Sequence, residues 1–100
     1  HPLAEGDILR LGQYELHALE TPGHSPASVS FYIPQAARVI AGDTLFRRSI
    51  GRTDLPGGNL QTLLKSIRNK LLTLPPATEV FPGHGNPTTI GEEAKYNPYL

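Results

Sequence analysis

Near residue 60 the hydrophobic pattern of this chain changes its period, and that change bounds the fold it can adopt. Before it, apolar residues alternate. In "DILRLG" and "QYELHALE" Ile8 alternates with Arg10, while Tyr14, Leu16 and Ala18 share one face and Glu15, His17 and Leu19 the other, which predicts a β-hairpin. The β-branched and aromatic runs "SVSFYIP" and "ARVIAGD" read as two further strands, with 34–37 as the turn between them. After it, Leu60, Leu63, Leu64, Ile67, Leu71 and Leu74 recur at helical spacing. Asn59 is placed to cap that helix and Pro75-Pro76 to stop it, leaving Lys65, Arg68 and Lys70 on the wet side. "TEVFPGHG" returns to strand, and "TTIGEEAKY" opens a short helix with Thr89 and Glu92 in capping-box register. The order β-β-β-β-α-β-α predicts an α+β fold, a sheet covered by helices on one face.

One hundred residues make a single domain, 1–100, that is small for burying a core. Ten glycines and ten prolines predict many turns around those short elements. Nine basic side chains cancel nine acidic ones, so nothing points to nucleic acid or to an acidic membrane surface. No apolar run approaches the length of a membrane span, and no signal-peptide pattern opens the sequence, so a cytoplasmic setting is expected. Cysteine is absent, which removes disulfides and thiolate metal sites and leaves imidazole and carboxylate as the available ligands. The sequence opens on His1-Pro2 without methionine, so we expect it to be part of something longer; His1 has no context that would give it a role.

Two of the four histidines stand behind the same dipeptide, in Pro22-Gly23-His24 and in Pro82-Gly83-His84. Proline fixes φ and glycine reaches backbone angles that other residues avoid, so each pair aims its histidine from a tight turn. Asp43 follows Gly42 at the end of an apolar strand, where a carboxylate needs a cation, donors or water. Three candidate ligands thus sit near strand ends, and loops on a rigid sheet are where binding groups collect. Imidazole with carboxylate suits zinc, iron(II) or manganese(II).

The segments "TPGHSPASVSFY", "AGDTLF" and "FPGHG", in this order and spacing, resemble the second half of a metallo-β-lactamase-superfamily hydrolase. The resemblance implies half of an αββα sandwich whose metal site lies at the edge between the sheets. It implies that His24 binds the first metal, Asp43 bridges the two, and His84 binds the second, with two zinc ions per intact domain. The family's H-x-H-x-D-H cluster is not among these residues, which implies an N-terminal half supplying the other ligands and the catalytic aspartate, and no catalytic residue within 1–100.

"GDTLFRRSIGRTDLPGGN" is similar to the corresponding segment of glyoxalase II-like (hydroxyacylglutathione hydrolase-like) thioesterases and of persulfide dioxygenases. In these a basic residue after glycine approaches a glutathione carboxylate, and Arg52 stands there. A guanidinium matches a carboxylate bidentately. Asp54 departs from glyoxalase II in the narrow sense, which carries tyrosine at that place, and the ending "GEEAKYNPYL" resembles compact bacterial members. The implied activity is hydrolysis of a glutathione thioester by metal-activated water, the segment 1–100 alone being inactive. One alternative is a persulfide dioxygenase using a single iron held by His24 and Asp43. Another is a non-catalytic half-domain that self-associates, since half a sandwich bares the sheet face its other half should cover. For Arg47 and Arg48, solvating a loop is as good a reading as a binding role; for Arg52 it is the weaker one.

Overall fold

The computed structural model describes residues 3–100; His1 lies outside the described residues. Strands β1 (Ile8–Leu11), β2 (Tyr14–Glu20), β3 (Val29–Ile33) and β4 (Arg38–Gly42) form an antiparallel meander. A 3₁₀ turn over Pro34–Ala36 occupies the predicted turn between β3 and β4. The chain then makes a two-stranded hairpin, β5 (Leu45–Phe46) and β6 (Ser49–Ile50), and the helix α1 (Leu60–Ser66). It returns as β7 (Glu79–Pro82), parallel to β4, and ends in β8 (Thr88–Thr89) and α2 (Ile90–Tyr96). The main sheet runs β1-β2-β3-β4-β7-β8 and is antiparallel except at β4–β7. The parallel step needs a crossover, which the hairpin and α1 provide.

The core lies on one face of this sheet. Val39, Ala41 and Val80 from the strands meet Leu63, Ile67 and Leu71 from the first helix, Leu45 from the hairpin and Ile90 from α2. All are essentially removed from water. Both helices therefore cover the same face, and the fold is α+β, half of the sandwich that the resemblance implies. The register carries Leu9, Leu16, Ala18, Phe31 and Ile40 to the opposite face. There Leu9, Leu11, Tyr14 and Ile40 remain 41%, 63%, 41% and 42% exposed.

The first helix departs from the predicted continuous α-helix over 60–74. It is α-helical only to Ser66 and continues as a π-helical turn over Ile67–Leu71, closed by Leu72 N–H donating to the Ile67 carbonyl at 2.9 Å. The buried residues Leu63, Ile67 and Leu71 recur every four positions, slightly more than one α-helical turn. Widening the turn stops that row from drifting off the core. Leu60, counted in the apolar row, instead lies half in water beside its cap. Asn59 does cap α1, accepting from Thr62 N–H at 2.9 Å. Thr89 caps α2 in the same way, accepting from Glu92 N–H, but the Glu92 carboxylate reaches Arg48 rather than closing the capping box. Lys70 is not purely solvated either, since it pairs with Glu5 at 3.1 Å.

Candidate metal centre

His24 sits in the loop between β2 and β3, and that loop is nailed to α1. Asn59 N–H donates to the Gly23 carbonyl at 2.8 Å, and Ser66 Oγ donates to the Pro22 carbonyl at 2.7 Å. Gly23 has φ +137°, and a Cβ there would lie 2.3 Å from Leu63 Cα. Only glycine permits both that backbone angle and that approach. Behind the loop, Thr21 Oγ1 shares buried hydrogen bonds with Ser30 Oγ at 2.9 Å and Thr44 Oγ1 at 3.3 Å. They tie the end of β2 to β3 and to the turn that carries Asp43.

Asp43 follows β4 directly, and His84 follows β7, the strand parallel to β4, so their ends lie side by side. Gly83 N–H donates to the Gly42 carbonyl at 2.7 Å. A Cβ on Gly83 would lie 2.9 Å from Asp43 Oδ1, so here glycine supplies room rather than an unusual φ.

The structure brings His24, Asp43 and His84 together, with the carboxylate in the middle. Asp43 Oδ2 is 3.7 Å from His24 Nε2, and Asp43 Oδ1 is 3.7 Å from His84 Nδ1. Both separations exceed hydrogen-bond length. His24 Nδ1 lies 2.9 Å from the Arg52 carbonyl, which can only accept, so that nitrogen carries the proton. In the neutral ring Nε2 is then a bare lone pair facing a carboxylate oxygen, an arrangement that a cation between them completes. Two ligands on one zinc stand about 3.4 Å apart, given bonds of about 2.0–2.2 Å and a tetrahedral angle. The pair is wider than that by a few tenths of an ångström, and among the described residues no three His, Asp or Glu side chains close around one point. The donor set fits a metal in its chemistry and is open in its geometry.

The three groups edge a cleft of about 480 Å³, within the range of small-molecule sites. Its wall is the β5–β6 hairpin, which contributes Phe46, Arg47, Ser49 and Ile50. The Phe46 ring packs on His84 with centroids 4.7 Å apart. Arg52 lines the same cleft. Its Nε and one Nη donate to the two oxygens of Asp54 at 2.8 and 2.9 Å. The hydrogen bonds of this fork hold the Asp54 carboxyl below the usual carboxylate range and raise Arg52 further. A guanidinium has five N–H donors, so the fork leaves others for a second carboxylate.

Arg48 does not solvate a loop. It occupies the hairpin turn at φ +59°, and its guanidinium pairs with buried Glu93 and exposed Glu92. Neither the hairpin nor this pairing is legible as a pattern, because two-residue strands show no alternation. Arg47, its neighbour, faces the cleft and makes no ion pair among the described residues.

A sheet with helices on one face and with histidines and an aspartate at its strand ends is an arrangement that suits a metallohydrolase. The chain belongs to the metallo-beta-lactamase superfamily, whose family model matches residues 1–84. It is 56% identical over 99 residues to the probable metallo-hydrolase YqgX of Bacillus subtilis, covering 98% of this chain and 47% of that protein. It is 44% identical over 96 residues to the hydroxyacylglutathione hydrolase GloC of Haemophilus influenzae, covering 96% and 45%. Among solved structures it superposes on the BLEG-1 B3 metallo-beta-lactamase with TM-score 0.93 at 50% identity, covering 98% of this chain and 47% of that one. The TM-score is 0.90 at 41% identity for ETHE1 from Myxococcus xanthus, over 96% and 44%. It is 0.88 at 51% identity for TTHA1623 in a di-iron-bound form, over 100% and 48%. The chain thus spans about half the length of the relatives it matches. Among the described residues no helix is long and apolar enough to cross a membrane.

Proposed function

We propose that the intact protein carrying these residues hydrolyses a thioester, specifically a glutathione thioester, with the help of bound metal. The observation that carries this reading is the two-sided carboxylate of Asp43, one oxygen towards each histidine. His24, through Nε2, and His84 would each hold a metal ion, zinc in the first instance, with the Asp43 carboxylate shared between them. Metal bound there would polarise the thioester carbonyl and acidify the attacking water. The Arg52 carbonyl keeps His24 in the tautomer that leaves Nε2 free, the task an outer partner performs for a ligating imidazole. The N–H groups of Arg52 that Asp54 does not use take the anionic end of the substrate. The GloC relative supports glutathione as the carrier, and the cytoplasm is where thiols are kept reduced.

The remaining ligands and the residue that steers water come, in this reading, from an N-terminal half bearing the H-x-H-x-D-H cluster. That half, or failing it a second copy, covers the apolar face with Leu9, Leu11, Tyr14 and Ile40. The segment 1–100 alone is inert. The test is metal analysis and turnover of S-acylglutathione by the purified intact protein. Two zinc ions per chain and chelator-sensitive hydrolysis are expected; full metal loading without hydrolysis overturns the reading. A second reading, a persulfide dioxygenase, is favoured by the likeness to ETHE1. One iron per chain and oxygen consumption with a glutathione persulfide would establish it instead.

A further inference from the structure

We infer that Glu93 of α2 is a positioning residue for the metal centre, acting through the β5–β6 hairpin. The inference rests on the metal-site reading above. Glu93 is fully buried, yet it is a carboxylate. Such a group is costly unless every oxygen is served. Oε1 accepts from Arg48 N–H at 2.7 Å and from Asn97 Nδ2 at 3.0 Å. Oε2 accepts from the Arg48 guanidinium and from Thr88 Oγ1 at 2.6 Å. Asn97 also donates to the Ser49 carbonyl at 3.0 Å. One buried carboxylate thus gathers the hairpin turn, β8 and the end of α2.

The turn it gathers is under strain. Arg48 holds φ +59°, which glycine or asparagine would accept more readily. Both its backbone N–H and its guanidinium are bound to Glu93, which offsets that cost. What the turn then fixes is the site. On the β5 side Phe46 lies on the His84 ring. On the β6 side Ile50 leads through Gly51, whose N–H donates to the Thr44 carbonyl at 3.1 Å, to the Arg52 carbonyl that orients His24. One strand of the hairpin therefore steadies each histidine, and Glu93 steadies the hairpin. Glutamine cannot replace it, because its amide would turn donors towards donors at one of the two ends.

The test is Glu93→Gln in the intact protein, with Glu92→Gln at the exposed rim as control. Zinc affinity is measured by competition with a chromogenic chelator, well below the unfolding temperature. Glu93→Gln should bind zinc several-fold more weakly, less than the roughly 10–100-fold cost of losing a partner bonded directly to a ligand, and Glu92→Gln should differ little from the parent. In the metal-free protein the ring-proton shifts of His84, displaced by Phe46, and the His24 Nδ1–H resonance should move in Glu93→Gln. If that variant fails to fold, Asn97→Ala, which cuts the bond to Ser49, should show the same changes more weakly. A folded variant with a lower melting temperature but unaltered zinc affinity and histidine spectra would make Glu93 merely structural and overturn the inference. A parent that binds no zinc would refute the metal reading, and the histidine spectra would still judge the clamp.

Discussion

Gly23→Ala tests the claim that the His24 loop is held by contact with α1. The substitution faces two costs. At φ +137° an alanine sits in backbone space that L-residues rarely adopt, a strain of about 1–3 kcal/mol. Its Cβ would also stand 2.3 Å from Leu63 Cα and 2.4 Å from Leu63 N, backbone atoms that cannot rotate away. Overpacking of this kind costs about 1–3 kcal/mol more. Gly6→Ala is the control: φ is +87°, but nothing lies within 4 Å of the added methyl. Both changes gain the same small benefit from stiffening the unfolded chain, so it cancels in the comparison. Equilibrium urea unfolding of the intact protein should show Gly23→Ala less stable than Gly6→Ala by about 1–3 kcal/mol. Because the loop must lift to relieve the clash, His24 should also lose metal affinity. Equal destabilisation by the two variants would refute the close approach on which the loop's placement depends.

Two positions of the first helix should respond very unequally: Ile67→Ala, fully buried, should cost about 2–5 kcal/mol, whereas Leu60→Ala, half in water, should stay within about 0.5 kcal/mol, both read by urea unfolding. Arg52→Ala should lower kcat/KM for a glutathione thioester roughly 10- to 100-fold, and Arg52→Lys should recover only part, because lysine lacks the planar fork; unchanged kinetics would return this loop to solvation. A carboxyl NMR titration should find Asp54 ionising below the usual aspartate range, with the Arg52→Ala variant moving it back towards, but not fully to, the ordinary value, because a backbone hydrogen bond also lowers it. Since the folded-state value is the depressed one, the fork is complete at neutral pH and opens only as pH falls through that lowered value.

Much of the architecture was legible because the periods of the sequence are long enough to read. The β1–β2 alternation, the β3 and β4 runs and the caps at Asn59 and Thr89 all report local chemistry. What was not legible is set by contacts across the chain. The π-helical turn arises because a four-residue row must stay on the core, which a single helix does not reveal. The β5–β6 hairpin is too short to alternate, and its turn residue Arg48 is bonded to Glu93, more than forty positions away. The two Pro-Gly-His turns marked where histidines would be aimed, yet their glycines serve differently. Gly23 answers a positive φ and the contact with Leu63, while Gly83 makes room for the Asp43 carboxylate. Arg48 illustrates the limit most sharply: adjacent to Arg47 and of the same chemistry, it is pinned while its neighbour faces the cleft.

In the proposed function Asp43 lies between two metals whose other ligands include His24 and His84. Anomalous diffraction at the zinc edge, from crystals of the intact protein grown with zinc, tests it most directly. Two peaks should flank the Asp43 carboxylate, one about 2.0–2.1 Å from His24 Nε2 and the other at the same distance from a His84 ring nitrogen. Peaks elsewhere in the protein, or a single ion that leaves either histidine unligated, would contradict it.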